Sequence, residues 1–357
     1  MAVDFPVTFE VLFVAALAPV LGVIAFWFLQ MVLIEFQKRL LSRLKYHHEA
    51  FCRFTNYIGI LFQAISQALG YTVTRSGVSS FQVTVNYEKV EPRKEKEGVF
   101  DWVARSFLLF GPFFIPAGLV LIISYFVIGR GFVYPTPVSY SFVESLAGFW
   151  MSLSSFATML GGFLINMDLF NPLHIGYVFV LLFLGLGIRP SYIGQERKEK
   201  IDILHDLIRI KDHLIEKPLY LLLIILFLYM FYVLSLFLNP QVYIGLFVIF
   251  GWMSLTAIIA ILLTIPLLLL IWATDAIQPR WNIVPYFSVP VSYIVTRVCF
   301  IFYPVNAVER VSLLAMVLLT VLVTIALIKY KRTNRFKTAT KMKHVRVADG
   351  KKRTSKK

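Results

Sequence analysis

Two glutamines, Gln63 and Gln67, stand four residues apart in the stretch FQAISQALGYTVT, residues 62–74. Positions i and i+4 share one face of a helix. A zinc hydrolase uses this spacing, as H-E-x-x-H, to bring two imidazoles to a metal while the Glu serves as base for the metal-bound water. Here the same frame reads Gln63-Ala64-Ile65-Ser66-Gln67. An amide stands at each ligand position and a methyl at the base position. Amides are poor zinc ligands and alanine cannot move a proton. A second physical role stays open for the pair, because buried amides on membrane helices hydrogen-bond neighbouring helices.

A further frame, His47-His48-Glu49-Ala50-Phe51-Cys52, contains H-E-x-x-C with His48 and Cys52 at i and i+4. Both are good zinc ligands. The stretch lies among Lys38, Arg39, Arg43, Lys45 and Arg53, ahead of the apolar helix, and reads as a solvated histidine pair. No metal or other cofactor is expected; His47, His48, Cys52 and His174 are the side chains to hold a metal if one is bound. Two isolated cysteines, Cys52 and Cys299, make neither a disulfide framework nor a zinc knuckle. G-x-x-x-x-G-K-[ST] and G-x-S-x-G do not occur, which removes the motif basis for an ATPase or a serine hydrolase. Asp275, followed by Gln278, Pro279 and Arg280, reads as an interfacial group, as does Glu35, while Arg130, Tyr134 and Tyr140 read as headgroup-level anchors.

The elements that position these residues are membrane helices. The chain is 58% apolar and 15% charged, with mean hydropathy +0.74, against about 45–50% and about 25% in soluble domains. Runs such as 219–238 and 242–272 reach or exceed the roughly 20 residues that cross a bilayer. Further apolar segments lie at 9–34, 107–128, 142–165, 173–188, 284–302 and 311–328. The expected fold is therefore an all-α polytopic membrane protein with about eight transmembrane segments. Tyr57–Leu69, which carries the glutamines, is marginal for a full crossing. Residues 71–90 alternate and are rich in β-branched types, predicting a small β-hairpin with Ser76-Gly77 as its turn. Ile201, Leu204, Leu207, Ile208 and Leu214 recur near the helical period and predict a surface amphipathic helix.

The order of these features resembles the site-2-protease-type intramembrane zinc metalloproteases, especially compact, archaeal-looking members. In that family a helix carries G-x-x-x-H-E-x-x-H, then a small gap with G-x-x-V, a β-rich excursion, and a helix opening with Gly-Pro. The corresponding residues here are Gly59, the Gln63–Gln67 frame, Gly70-Tyr71-Thr72-Val73, the 71–90 stretch and Gly111-Pro112. Residues 165–172, INMDLFNP, are similar to the region of the third, carboxylate ligand, and Arg189-Pro190-Ser191-Tyr192 to a later junction. The resemblance spans Gly59 to Ser191. It implies a degenerate site at Gln63, Ala64, Gln67 and Asp168, in which Asp168 alone corresponds to a retained ligand. It also implies that Asp168 meets the two glutamines in space.

The sequence divides into a metalloprotease-like membrane domain (1–190), a charged amphipathic connector (191–217), a second transmembrane block (218–328) and a basic tail (329–357). Net charge is +15. The tail holds thirteen Lys or Arg against one acid, Asp349, and so supplies most of it. A basic run after a final spanning helix marks a cytoplasmic end that touches anionic headgroups. With little aromatic interleaving, it argues against nucleic acid as partner. The expected function is a catalytically inactive, metalloprotease-like integral membrane protein that binds or shelters segments of other membrane proteins. The alternatives are a transporter or lipid-handling protein, and an active zinc metalloprotease with an unusual ligand set.

Overall fold

Residue 49 opens a helix that the sequence shows as two textures, basic then apolar. The computed structural model describes residues 9–85, 87–129, 132, 141–189, 203–302 and 307–354. In it the histidine-containing stretch is the turn and start of one continuous helix. Helix α1 (Leu17–Leu44), preceded by a π-helical turn at Glu10–Val14, leads through residues 45–48 into α2 (Glu49–Val73). Tyr57–Leu69 is thus the interior of a 25-residue helix. Strands β1 (Val78–Val83) and β2 (Glu88–Pro92) follow, then α3 (Val99–Ile128), α4 (Phe142–Ile165), α5 (Pro172–Gly187), α6 (Ile203–Glu216), α7 (Pro218–Leu238), α8 (Pro240–Asp275), α9 (Val284–Phe302) and α10 (Val308–Thr354).

Among the described residues seven helical stretches are long and apolar enough to cross a membrane: Glu10–Leu44, Val99–Ile128, Phe142–Ile165, Pro218–Leu238, Gln241–Asp275, Val284–Phe302 and Val308–Thr333. The shorter apolar α5 adds an eighth apolar helix. The chain is an all-α membrane protein with a small antiparallel sheet. Helix α6 is the expected amphipathic helix.

The hairpin exists, but its turn lies elsewhere than expected. Ser76 and Gly77 close α2: both backbone N–H groups donate to Tyr71 O, at 2.8 and 3.2 Å. Arg75 (φ 54°) and Gly77 (φ 67°) take the left-handed conformations that turn a helix end. The strands are instead joined after Val83, where Thr84 N donates to Tyr87 O (2.9 Å) and Tyr87 N to Thr84 Oγ1 (3.1 Å). Helix-ending and hairpin-turning residues share one composition, which is why the pattern misplaces the turn. Strand register runs from Val83 opposite Glu88 to Val78 opposite Pro92, with an irregularity between Val78 and Ser80. Asn56 Nδ2 donates to Val85 O (3.3 Å), holding the hairpin tip against α2.

Two compact units emerge: Met1–Leu164 with Asp168–Pro266, and Ile165–Met167 with Leu267–Lys357. This division differs from the sequence-based one, whose second block began at 218. Its reason is packing within the first unit. Gly185 of α5 lets the Ala260 carbonyl of α8 so close that an added Cβ would sit 2.7 Å from it. Gln37 Nε2 of α1 donates to Thr264 Oγ1 (2.8 Å). The first part of α8 therefore belongs with α1 and α5. In the second unit α9 and α10 pair, with Arg297 Nη1 donating to Glu309 Oε1 (3.1 Å) and Ser288 Oγ to Thr320 Oγ1 (3.4 Å). Arg130, Tyr134, Tyr140 and Pro190-Ser191-Tyr192 lie outside the described residues.

Helices α2 and α3 touch through small residues, the way lipid-embedded helices bring backbones together. A Cβ on Gly70 would lie 2.8 Å from Ala104 O and 3.0 Å from Phe107 Cβ, and one on Gly111 would collide with the Ser66 side chain. Gly70→Val is expected to lower stability by about 1–3 kcal/mol, the cost of overpacking. Gly176→Ala, at a position with nothing within 4 Å of the added Cβ, should leave the melting temperature in detergent unchanged or slightly raised. Equal melting of wild type and Gly70→Val would refute the close packing.

Candidate binding site

Gln63 and Gln67 share a helix and part company in space. Gln67 Nε2 donates to Tyr71 OH on its own helix (3.1 Å). Gln63 is buried, and its Oε1 has no hydrogen-bond partner. Ala64 is fully buried. The frame does not converge on a common point, and Asp168 does not join it. Asp168 sits in the turn before α5, where its backbone N–H donates to His174 Nδ1 (3.1 Å) and its Oδ1 accepts from Phe170 N (3.0 Å). The other end of α5 is the end that meets α2: a Cβ on Gly187 would be 2.5 Å from Ile58 Cγ2 and 2.9 Å from Phe62 Cδ2. Thirteen residues separate His174 from Gly187, about 20 Å of helix at about 1.5 Å per residue. Asp168 therefore stands a helix length away from Gln63.

Cys52 is fully buried and turns its thiol to Leu41 O (3.5 Å), whereas His47 is exposed. His174 packs edge-on against Phe163 (centroids 5.0 Å apart). Among the described residues no group of three or more His, Cys, Asp or Glu side chains converges as a metal site would require.

What Gln63 does line is a pocket of about 60 Å³ between α2, the hairpin, α3 and α6. Its polar lining is Gln63, Glu88, Asp206 and Arg209, over an apolar floor of Leu109, Phe113 and Ile210. Leu108 also lines it. Pro112 inside α3 has no N–H to give the Leu108 carbonyl, so that oxygen lacks its usual helical donor.

Helix α6 forms one wall, and three contacts hold it. Lys38 Nζ of α1 pairs with Asp206 Oδ2 at 2.8 Å, both side chains being less than a tenth exposed. Trp102 Nε1 donates to His213 O (3.1 Å). The His213 ring stacks on Trp102 with centroids 4.8 Å apart and planes 13° apart. Ser106 Oγ donates to Trp102 O (2.9 Å), so its 2.9 Å contact with His213 Nε2 is made by the imidazole N–H. Burial pushes the His213 pKa below its ordinary value, with Arg105 adding to the effect; Glu216, the backbone contact to Trp102 and Asp101 oppose it. Asp206, Ile210 and His213 face inward at helical spacing, while Leu204, Ile208 and Ile215 are exposed on the outer side.

Sequence reasoning singled out Gln63 and the amphipathic period of α6. It missed Lys38, Glu88, Asp206, Arg209 and His213, which look like ordinary surface charges in a basic or charged stretch. No protein-family model, curated protein or solved structure matches the chain.

Two outcomes follow from the α6 contacts. Asp206→Ala leaves Lys38 buried without its counter-charge and should cost about 3–5 kcal/mol, while Lys38→Met with Asp206→Leu should recover most of it. Thermal melting in detergent measures both. For His213 the depressed pKa makes the docked state bind fewer protons. Above pH 6.5, the ordinary value, docked and undocked α6 are both neutral there. As pH falls below 6.5 the undocked helix protonates first, so docking weakens until pH passes the lowered value. Amide exchange in α6, corrected for the intrinsic rate, should report this loss, and His213→Gln should remove its pH dependence.

Proposed function

We propose that the chain is a non-catalytic integral membrane protein that binds a polar lipid headgroup in the pocket beneath α6. The observation carrying this reading is Gln63: a buried side chain whose carboxamide oxygen has no hydrogen-bond partner, lining a small pocket with Glu88, Asp206 and Arg209 above apolar residues. Leaving such an atom unpaired costs about 1–3 kcal/mol, a cost that a bound group or water removes. Depth in the membrane supports a lipid as the ligand. The exposed Leu204, Ile208 and Ile215 suit a helix lying in the headgroup layer, which puts the pocket mouth at that level. The basic run at the end of α10 fits a cytoplasmic end against anionic headgroups. The resemblance to intramembrane metalloproteases is not needed for this reading, because Asp168 lies a helix length from Gln63. A second reading, shelter for a segment of another membrane protein, draws on the hairpin. Among the described residues β1 and β2 pair with each other alone, leaving each an outer edge that can add a strand.

The first reading predicts that lipid stays with the purified protein in native mass spectrometry and that Gln63→Leu, which keeps the side chain's size, loses it. Retention undiminished in the variant would sink it. Photocrosslinking from Phe81, exposed on β1, should give lipid adducts at most; a protein adduct in native membranes would favour the second reading. Protein dialysed against metal-free buffer is expected to carry no stoichiometric zinc; one zinc per chain, lost on changing His48 or Cys52, would reinstate a metalloenzyme.

A further inference from the structure

We infer that the groove between the end of α7 and the start of α8 holds one acyl chain of a membrane glycerolipid, with the lipid's ester carbonyls on the carboxamides of Asn239 and Gln241. The site is separate from the pocket beneath α6 and does not depend on how that pocket is used.

The groove has a volume of about 450 Å³, within the roughly 300–1,000 Å³ of small-molecule sites. Among the described residues its polar lining is Asn239 and Gln241, and the rest is apolar, with Gly245 adding no side chain. Both amides stand at one end, in the turn that joins the helices. The lining residues Phe231 and Ile249 lie eight positions from Asn239 and Gln241 respectively, about 12 Å along each helix at about 1.5 Å per residue.

Depth decides what can enter. Helix α7 has 21 residues, about 31 Å of helix, against about 30 Å of hydrocarbon in a bilayer. Its flanking residues, Lys217 and Asn239, therefore lie at the two boundaries of the hydrocarbon, and the groove runs from one boundary toward the middle. Leu234, Phe237, Leu238 and Val242 are exposed in the same stretch, so the groove continues the surface that lipid covers. An apolar slot entered from hydrocarbon takes a chain. A second helix fits less well, because close approach needs small residues and Phe231, Val242, Leu246 and Ile249 line the groove.

The polar end selects which part of the lipid it meets. No Lys, Arg, Asp or Glu occurs between Lys217 and Asp275, so the turn offers a charged headgroup no counter-charge. It does offer N–H donors. Asn239 is exposed, and its Oδ1 accepts from Gln241 N (3.0 Å), which leaves Nδ2 to donate. The Gln241 carboxamide, on a half-buried side chain, meets no partner among the described residues. At the hydrocarbon boundary the uncharged acceptors of a glycerolipid are its ester carbonyls.

The test places the full chain in nanodiscs of phosphatidylcholine, either ester-linked or the diether analogue with the same chains, and counts retained lipid by native mass spectrometry. The ester lipid should be retained over the diether by at least about fivefold, the worth of one hydrogen bond. Gln241→Leu, similar in size, should abolish that preference. Val242→Trp, which fills the groove from an exposed position, should lose one lipid per chain, while Gln63→Leu should leave this lipid in place. Unchanged melting of the variants in detergent shows that they fold. Retention undiminished in Val242→Trp overturns the inference, as does a photocrosslinker at position 246 that captures protein in place of lipid in native membranes. Equal retention of ester and diether lipid by the wild type overturns the assignment of the carbonyls to the amides, and an ester preference that survives Gln241→Leu does the same. A preference for phosphatidylglycerol over phosphatidylcholine that Val242→Trp removes overturns the charge-free reading of the turn.

Discussion

A buried ion pair, Lys38 with Asp206, determines where the amphipathic helix α6 lies. Burying either charge alone would be strongly unfavourable, and burying both is tolerable because they are 2.8 Å apart. The pair is weak evidence of net stability, but it is a strict constraint on position. Asp206 can be buried at α1 in one place, and Arg209 and Ile210 follow it on the next turn. His213, two turns from Asp206, then meets Trp102 and Ser106 of α3. The wall of the pocket is a consequence of that placement. Neither the hairpin nor α2 would enclose a volume at Gln63 without it.

The buried glutamines of this chain divide by what they touch. Gln30 Nε2 donates to Phe113 O (3.0 Å), and Gln37 Nε2 to Gly185 O (3.2 Å) and Thr264 Oγ1. These are bonds between helices, the use that membrane proteins make of amides. Each leaves its Oε1 without a partner while the other end of the amide is committed. Gln63 differs because its side chain lines a pocket. The distinction lies in packing. Nothing in the residue type or its neighbours in sequence separates Gln63 from Gln30 or Gln37.

Much of the architecture was legible because hydrocarbon demands it. A spanning segment must be apolar and must satisfy its own backbone, so the long helices announce themselves by composition, and α6 does so by its period. Helix α2 was read in two halves because Thr55, Asn56, Gln63 and Ser66 dilute its apolarity, although all four are buried. The hairpin was recognised and its turn misplaced, since Ser76-Gly77 suits a helix end equally well. The site was legible at Gln63 alone. Lys38 and Asp206 are 168 residues apart, and Trp102 and His213 are 111 apart. Charged residues in a solvated-looking stretch carry no mark of such distant partners.

The Gln63–Gln67 frame shows why spacing on one helix is weak grounds for a shared site. An i, i+4 pair specifies a face over about 6 Å of helix, whereas a metal centre needs a third group brought there by another element. Here α5 brings its Gly187 end to α2 and leaves Asp168 at the far end, so the third group is missing for a geometric reason and not merely a chemical one. Gln63 shares a pocket with α6 instead, and α6 brings a carboxylate already paired with Lys38. That pairing changes what the pocket can accept. A ligand that donates to Asp206 Oδ1 leaves the Lys38 bond on Oδ2 intact, so ligand and α6 hold each other in place. A ligand that competes for Lys38 must first break a buried ion pair and displace the wall it would bind against. The same interaction that positions α6 thus favours donors over acceptors at Gln63.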